Sequence, residues 1–455
     1  MSQLARRSIP EQYGRLVSLS LPCEGVSLAG FLAQAKGQPR VYWESQRDHV
    51  TFAGFGAALE LFAYGETRFT QIQRQARELF TDAVVLDETE PLAAPRLFGG
   101  FAFRDDFVPD DAWSDFPPAH FVLPHYQLTS VEGRKWLTIN AHIGLEDDPA
   151  ELGEALTAAL QARIAALQAA EGRAQTTAPP PPRDYNMPMP YDAWETMLNA
   201  AIGRIRSGEL KKVVLSRVAE ARYDQPVSVD AALKYLAEHY AESYRFLFEP
   251  RPYRAFYGAT PELLVQVDGH RVVTMGLAGS IRRGSSPHED EAMAAELLAS
   301  AKDRHEHALV VERIKARLTP LTSQLTIGET GVMRLSNIQH LHTPIEGRLH
   351  SSQGVLPVVD ALHPTPALGG EPKEIALPLI GQLEPITRGW FGAPVGWMDR
   401  HLDGQFAVAI RSAVAQKDRV WMYAGAGIVA DSDPQKEWDE TALKFAPMKN
   451  ALGIS

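Results

Sequence analysis

The sequence predicts an α+β fold in which strands and helices gather into separate layers. Three observations carry this reading. Short apolar strands alternate with turns through roughly the first 150 residues. Apolar residues then recur at helical spacing in three stretches, near 150–171, from 192, and across 289–318. The last third returns to strands before one closing helix.

In chain order, the clearest early strands are Val41-Tyr42-Trp43, Leu97 to Phe103 and Trp136-Leu137-Thr138-Ile139. The first helix, Ala150 to Glu171, steps Leu152, Leu156, Leu160 and Ile164 along one face. It ends in Thr176-Thr177-Ala178, and four prolines follow, Pro179 to Pro182, which cannot continue a helix and favour an extended linker. Residues 179–190 thus divide an N-terminal region, 1–178, from a larger one, 191–455. Asp192-Ala193-Trp194-Glu195 has the form of a capping box. The helix it opens puts Trp194, Leu198, Ala201, Ile202 and Ile205 on one face, and Gly208 ends it. A strand follows, Lys212 to Arg217. A long helix over 289–318 contains Lys302-Asp303-Arg304-His305-Glu306-His307, and a final helix from Trp438 carries Glu440 and Lys444. There is no internal repeat.

With 455 residues, 45% of them hydrophobic, the chain can bury a large core. The formal charge of −11 argues against a nucleic-acid partner, which needs a basic face. An acidic small molecule remains possible where cations gather locally. The lone cysteine, Cys23, rules out a disulfide within the chain and a zinc site of several thiolates. Arg6 and Arg7 have no apolar stretch behind them, so the N-terminus reads poorly as a signal peptide. Runs such as Phe55 to Tyr64 are too short to span a bilayer. The expectation is a cytoplasmic, soluble protein without a membrane partner.

Several groups could carry chemistry. Glu437, Glu440 and Lys444 stand at i, i+3 and i+7 and share a helix face, where they could hold a hard cation beside an anion. The plainer reading is a solvated face with a weak ion pair. Asp303, Glu306 and His307 form a second acidic cluster. His305-Glu306-His307 lacks the spacing of the HExxH zinc motif, so magnesium is the better guess. Tyr423 to Ala430 matches a GxGxxG/A pattern, but no room remains for a nucleotide-binding unit. Its glycines read as a backbone cradle for a carboxylate, or as a tight turn. Lys212 is either a base with a desolvated amine or an edge-strand charge. Glu262 is either a general acid or a turn residue.

The order of these segments is more specific than any one of them. Lys-Val-Val-Leu-Ser-Arg at 212–217, Gly-Ala-Thr-Pro-Glu-Leu-Leu at 258–264 and Leu-Ala-Gly-Ser-Ile-Arg-Arg at 277–283 come first. Lys-Asp-Arg-His-Glu-His at 302–307, His-Pro-Thr-Pro-Ala-Leu-Gly-Gly at 363–370, Tyr-Ala-Gly-Ala-Gly-Ile-Val at 423–429 and Glu-Trp-Asp-Glu-Thr at 437–441 follow. The series resembles the chorismate-binding enzymes: isochorismate, salicylate, anthranilate and aminodeoxychorismate synthases. It covers about residues 190–450, with Phe98-Gly99-Gly100-Phe101 a looser match before it.

The resemblance implies a layered α/β/β/α fold of two packed, mostly antiparallel sheets, like anthranilate synthase component I. It implies Glu306 and Glu440 as ligands of Mg²⁺, supported by Asp303 and Glu437, with the metal holding the ring carboxylate of chorismate. Arg411, Lys444 and the amides around Gly425 and Gly427 match positions that hold substrate carboxylates. Gly279, Ser280, His340, His363 and Ala367 match positions lining the same pocket. Lys212 falls where water-using members carry a lysine base, and Glu262 would be the opposing acid. Ala278 stands where many aminodeoxychorismate synthases carry a nucleophilic lysine. Ala367 replaces a threonine common in amine-using and salicylate-forming members. Together these imply water as nucleophile and isochorismate synthase, an isomerase, as the activity. Salicylate synthase is the alternative, then an anthranilate or aminodeoxychorismate synthase component, then a non-catalytic chorismate binder. No amidotransferase partner is expected, and a monomer is the default. Menaquinone, siderophore and salicylate biosynthesis are all open as the pathway served.

Overall fold

Two long sheets, almost wholly antiparallel, run through the chain. The computed structural model describes Gln12 and residues 14–86, 88–172 and 180–454. Among these, one sheet has 13 strands and the other 10. Among the described residues, the only parallel pairing is between Arg15–Pro22 and Val84–Leu86. Three apolar cores separate four layers. Trp43, Phe52, Phe98, Trp113, Phe256, Trp397 and Trp421 pack between the two sheets. A second core lies between the larger sheet and the helices Leu28–Gln34, Pro149–Ala169, Val229–His239 and Pro434–Ala451. A third lies between the smaller sheet and Arg68–Thr81, Ala301–Leu318, Leu356–Leu362 and Lys373–Leu383. This is the α/β/β/α layering that the family resemblance implies.

The regions on either side of the proline segment share both sheets. Arg40–Ser45 pairs with Tyr244–Arg251 in the larger one, and Arg96–Phe101 pairs with Pro394–Asp399 in the smaller. The Phe98-Gly99-Gly100-Phe101 segment lies in this second pairing. A Cβ on Gly100 would stand 2.7 Å from the Trp390 ring, so glycine lets that indole close the strand. Thr176, Thr177, Ala178 and Pro179 lie outside the described residues, as do the first eleven. No helix among the described residues is long and apolar enough to cross a membrane.

Helix boundaries differ from the periodicity in three places. Asp192 does not cap its helix, which runs Tyr191–Arg206 from Pro190; Asp192 sits in the first turn instead. The 289–318 segment is two helices, Pro287–Ala299 and Ala301–Leu318. Ser300 adopts an extended conformation (φ −62°, ψ 114°) and its side chain accepts from Asp303 N–H, so one helix stops and another starts on the same residue. The final helix begins earlier than expected, at Pro434 behind the capping Asp433. That places Glu437 in its first turn, where the helix dipole favours a carboxylate.

Candidate functional site

The motif segments converge on one pocket of about 650 Å³, counting its mouth. The strand Lys212–Arg222 and the strand Arg419–Ile428 pair in register and form its floor. The helices Ala301–Leu318 and Pro434–Ala451 bring Glu306 and Glu440, and the turn after Arg254–Thr260 brings Glu262. Gly279, Ser280, His340, Arg411, Gly425, Gly427 and Lys444 complete the polar lining, and Ala367 adds a methyl group to the wall. Gly425 and Gly427 lie within a strand, opposite Ser216 and Val214, and not in a tight turn.

Lys212 is fully buried, and its Nζ lies 2.8 Å from Glu306 Oε1. The contact lacks hydrogen-bond geometry, and Lys212 Nζ has no other hydrogen-bond partner among the described residues. Glu262 is 5% exposed. Burial pushes its carboxyl up to about 7, with Lys212, Arg411 and Lys444 pulling in the other direction. Lys444 donates to Gly425 O at 2.8 Å and pairs with Glu440 Oε1 at 2.6 Å. Burial pushes Glu440 up, but Lys444, with help from Lys302, outweighs it and holds the carboxyl below its ordinary range. Glu437 goes the other way, raised by burial and by Glu440, with Lys302 Nζ 2.8 Å from its Oε1.

Arg411 holds an unusual backbone, φ +49°. Its carbonyl oxygen would stand 2.5 Å from a Cβ on Gly258, so a glycine in the facing strand makes room for the turn. Its buried guanidinium is depressed to about 10 by desolvation and still charged at neutral pH. His340, pushed down to about 3 by burial and by Arg411, is neutral. With Nδ1 donating to Gly279 O (3.2 Å) and shared with Ser280 Oγ (2.9 Å), its Nε2 is left to accept from Arg411 Nη2 (3.4 Å). The imidazole therefore orients the arginine.

Four residues that the motifs suggested do not line the pocket: Lys212, which reaches it only through its contact with Glu306, and His363, Asp303 and Glu437. His363 is buried against Phe103, with Nε2 3.1 Å from Phe103 O and the rings edge to face. Asp303 is engaged by Ser300 Oγ at the helix start, and its Cβ would be 3.0 Å from one on Gly279. Glu437 lies 1% exposed under Lys302.

A family model described as chorismate binding enzyme matches residues 3–453. The chain belongs to the chorismate-binding enzymes. It is 37% identical to the salicylate biosynthesis isochorismate synthase of Pseudomonas aeruginosa, over 91% of this chain and 85% of that protein. The solved menaquinone-specific isochorismate synthase of Escherichia coli superposes with a TM-score of 0.79 at 26% identity, over 96% of this chain and 94% of that one. Anthranilate synthase component I of Streptococcus pneumoniae shares the fold, with a TM-score of 0.72 at 20% identity over 89% and 93% of the two chains.

The donors in this chorismate-binding enzyme's pocket are carboxylate oxygens, suited to a hard cation. No three His, Cys, Asp or Glu side chains among the described residues gather as a metal cage. The arrangement fits an ion of magnesium's kind, which one or two carboxylates can hold while water and substrate oxygens fill the remaining positions. Of the apolar wall, Val214, Leu277, Leu368 and Tyr423 fall within the motif runs, whereas Phe391 and Ile410 carry no signature apart from the fold that brings them there. Lys302 stands beside Asp303 in the motif, and only the fold turns it toward Glu437.

Proposed function

We propose that this chorismate-binding enzyme is an isochorismate synthase, an isomerase that converts chorismate reversibly to isochorismate with Mg²⁺. The observation that carries the reading is a buried lysine whose amine touches Glu306 in the wall of the pocket that Glu262 also lines, with the Glu262 carboxyl lifted to about 7. Such a pair sets an amine and a neutral carboxyl where general acid–base catalysis needs them. Lys212, as the free amine, takes a proton from water as its oxygen bonds to ring C2. The ring double bonds shift, and the C4–O bond breaks. Glu262, as the neutral acid, gives its proton to that leaving oxygen, so one water enters and one departs. Arg411, Lys444 and the backbone of Gly425 and Gly427 hold the two carboxylates. Glu306 and Glu440 would hold Mg²⁺, which when bound neutralises the ring carboxylate and stabilises developing charge. Ala278 and Ala367 offer only methyl groups to the pocket, so neither can act as a covalent nucleophile.

The test is product analysis with purified protein, chorismate and Mg²⁺. Isochorismate in equilibrium with chorismate is expected. Stoichiometric salicylate and pyruvate, or anthranilate formed with ammonia, would replace this reading. Binding without turnover would reduce the protein to a chorismate binder.

A further inference from the structure

The strand that delivers Lys212 has an open edge. One side of Lys212–Arg222 pairs with Arg419–Ile428 from Val213 to Arg222. On the other side, Gly370–Glu371 covers Lys212 and Val213, and Asp184–Asn186 covers Glu220 to Arg222. Among the described residues, no strand covers the stretch between. Val214 N–H finds Gly369 O at 2.9 Å. The next two backbone groups on that edge are met by side chains. Arg388 Nη2 donates to Val214 O at 2.9 Å, and Glu384 Oε1 accepts from Ser216 N–H at 2.7 Å.

These two side chains are themselves an ion pair. Arg388 Nε donates to Glu384 Oε2 at 2.8 Å and Nη2 to Oε1 at 2.5 Å, with both side chains almost wholly buried. Ser216 Oγ adds a bond to the same Oε1 at 2.8 Å. Arg388 Nη1 reaches Leu368 O at 2.8 Å, next to Ala367 in the pocket wall. The guanidinium lies over the Phe103 ring, 4.4 Å from its centre. Stability alone is a weak reason to bury an ion pair, because desolvation can offset its attraction. The contacts supply a better one: the pair takes the place of two residues of missing strand.

We propose that Glu384 and Arg388 are positioning residues that fix the register of the Lys212 strand against the Ala367–Leu368 wall, and so set where the lysine amine meets the ring. The inference rests on Lys212 being the base of the proposed reaction. A slip of about 1 Å in that amine is enough to cost on the order of 100-fold in rate. Substrate affinity should change far less, because Arg411 and Lys444 sit on other elements.

The experiment compares Arg388→Ala and Glu384→Gln with the wild-type enzyme in the isochorismate assay. Expected is a fall in kcat of roughly 10- to 100-fold in each, with KM for chorismate moving less than about threefold. Glu384 and Arg388 also line a cavity of about 900 Å³, counting its mouth, so millimolar guanidinium should reach the gap in Arg388→Ala. It should restore part of kcat there and none in Glu384→Gln. Wild-type kcat in Glu384→Gln, a KM that rises as far as kcat falls, or no guanidinium rescue of soluble Arg388→Ala would each overturn the proposal. If Arg388→Ala does not fold, the kcat and KM of Glu384→Gln decide alone. Failure of the underlying reading shows separately, as wild-type protein that makes no isochorismate.

Discussion

Lys212 Nζ and Glu306 Oε1 meet 2.8 Å apart beneath the backbone of Gly427, where a Cβ would stand 2.4 Å from that oxygen and 2.8 Å from Lys212 Cε. The glycine sits in a regular strand and has no need of unusual backbone angles. What it provides is space for two charged side chains against the floor of the pocket. Gly427→Ala should therefore fold, since alanine is tolerated in a strand, but displace the lysine or the glutamate. The expected outcome is a loss of kcat on the order of 100-fold with a melting temperature within a few degrees of wild type. Activity close to wild type would show that the Lys212–Glu306 contact is not needed for turnover.

Glu262 links activity to stability. Its carboxyl titrates near 7 in the folded protein, against 4.5 for the ordinary side chain. A folded pKa raised in this way gives stability that is complete below about pH 4.5 and is lost as pH rises through 7. Glu262→Gln removes that loss. The variant should be more stable than wild type at pH 8 than it is at pH 5, by on the order of 2 kcal/mol between the two. It should also lose most activity, because an amide cannot protonate the leaving hydroxyl. Denaturant titrations of both proteins at the two pH values check the first effect. A constant difference between variant and wild type would mean that Glu262 is not held neutral by burial.

The source of the transferred oxygen separates water attack from internal migration of the hydroxyl. In ¹⁸O-water, isochorismate should carry the label at C2 after one turnover. Because the same acid–base pair serves the return reaction, chorismate recovered near equilibrium should be labelled at C4. Mass spectrometry with ¹³C isotope-shift NMR reads both positions. Unlabelled isochorismate would remove Lys212 from the role of activating water.

Much of this pocket was legible because its chemistry sits in compact motifs in a fixed order. Glu262, Glu306 and Glu440 come from distant segments, yet each lies within a recognisable run, and the fold brings them to one pocket with Arg411 and Lys444. The misplaced details depend on contacts that periodicity does not see. Ser300 breaks a helix whose apolar spacing continues straight through it, because its own hydroxyl caps the next one. His363 shares a motif with Ala367, but its ring packs on Phe103 while Ala367 faces the pocket. Glu384 and Arg388 look like an ordinary i, i+4 surface pair. Their burial follows from the gap in the strand beside them, which only the sheet topology reveals.

Removing a carboxylate tests the metal separately from the base. Glu440 lines the pocket, and Lys444 is held between its carboxylate and Gly425 O. Glu440→Gln keeps the shape and leaves a hydrogen-bonding group for Lys444, but it removes one negative charge from a cation held by few protein ligands. The Mg²⁺ concentration for half-maximal activity should rise, on the order of 10-fold or more, and excess Mg²⁺ should recover part of kcat. Lys212→Gln should behave differently, with kcat low at every Mg²⁺ concentration and metal binding by calorimetry little changed. The contrast is the informative result, because each variant changes charge at the same buried site. If excess Mg²⁺ restores neither variant and both bind the ion as wild type does, Glu440 is a structural partner of Lys444 and the metal is held elsewhere.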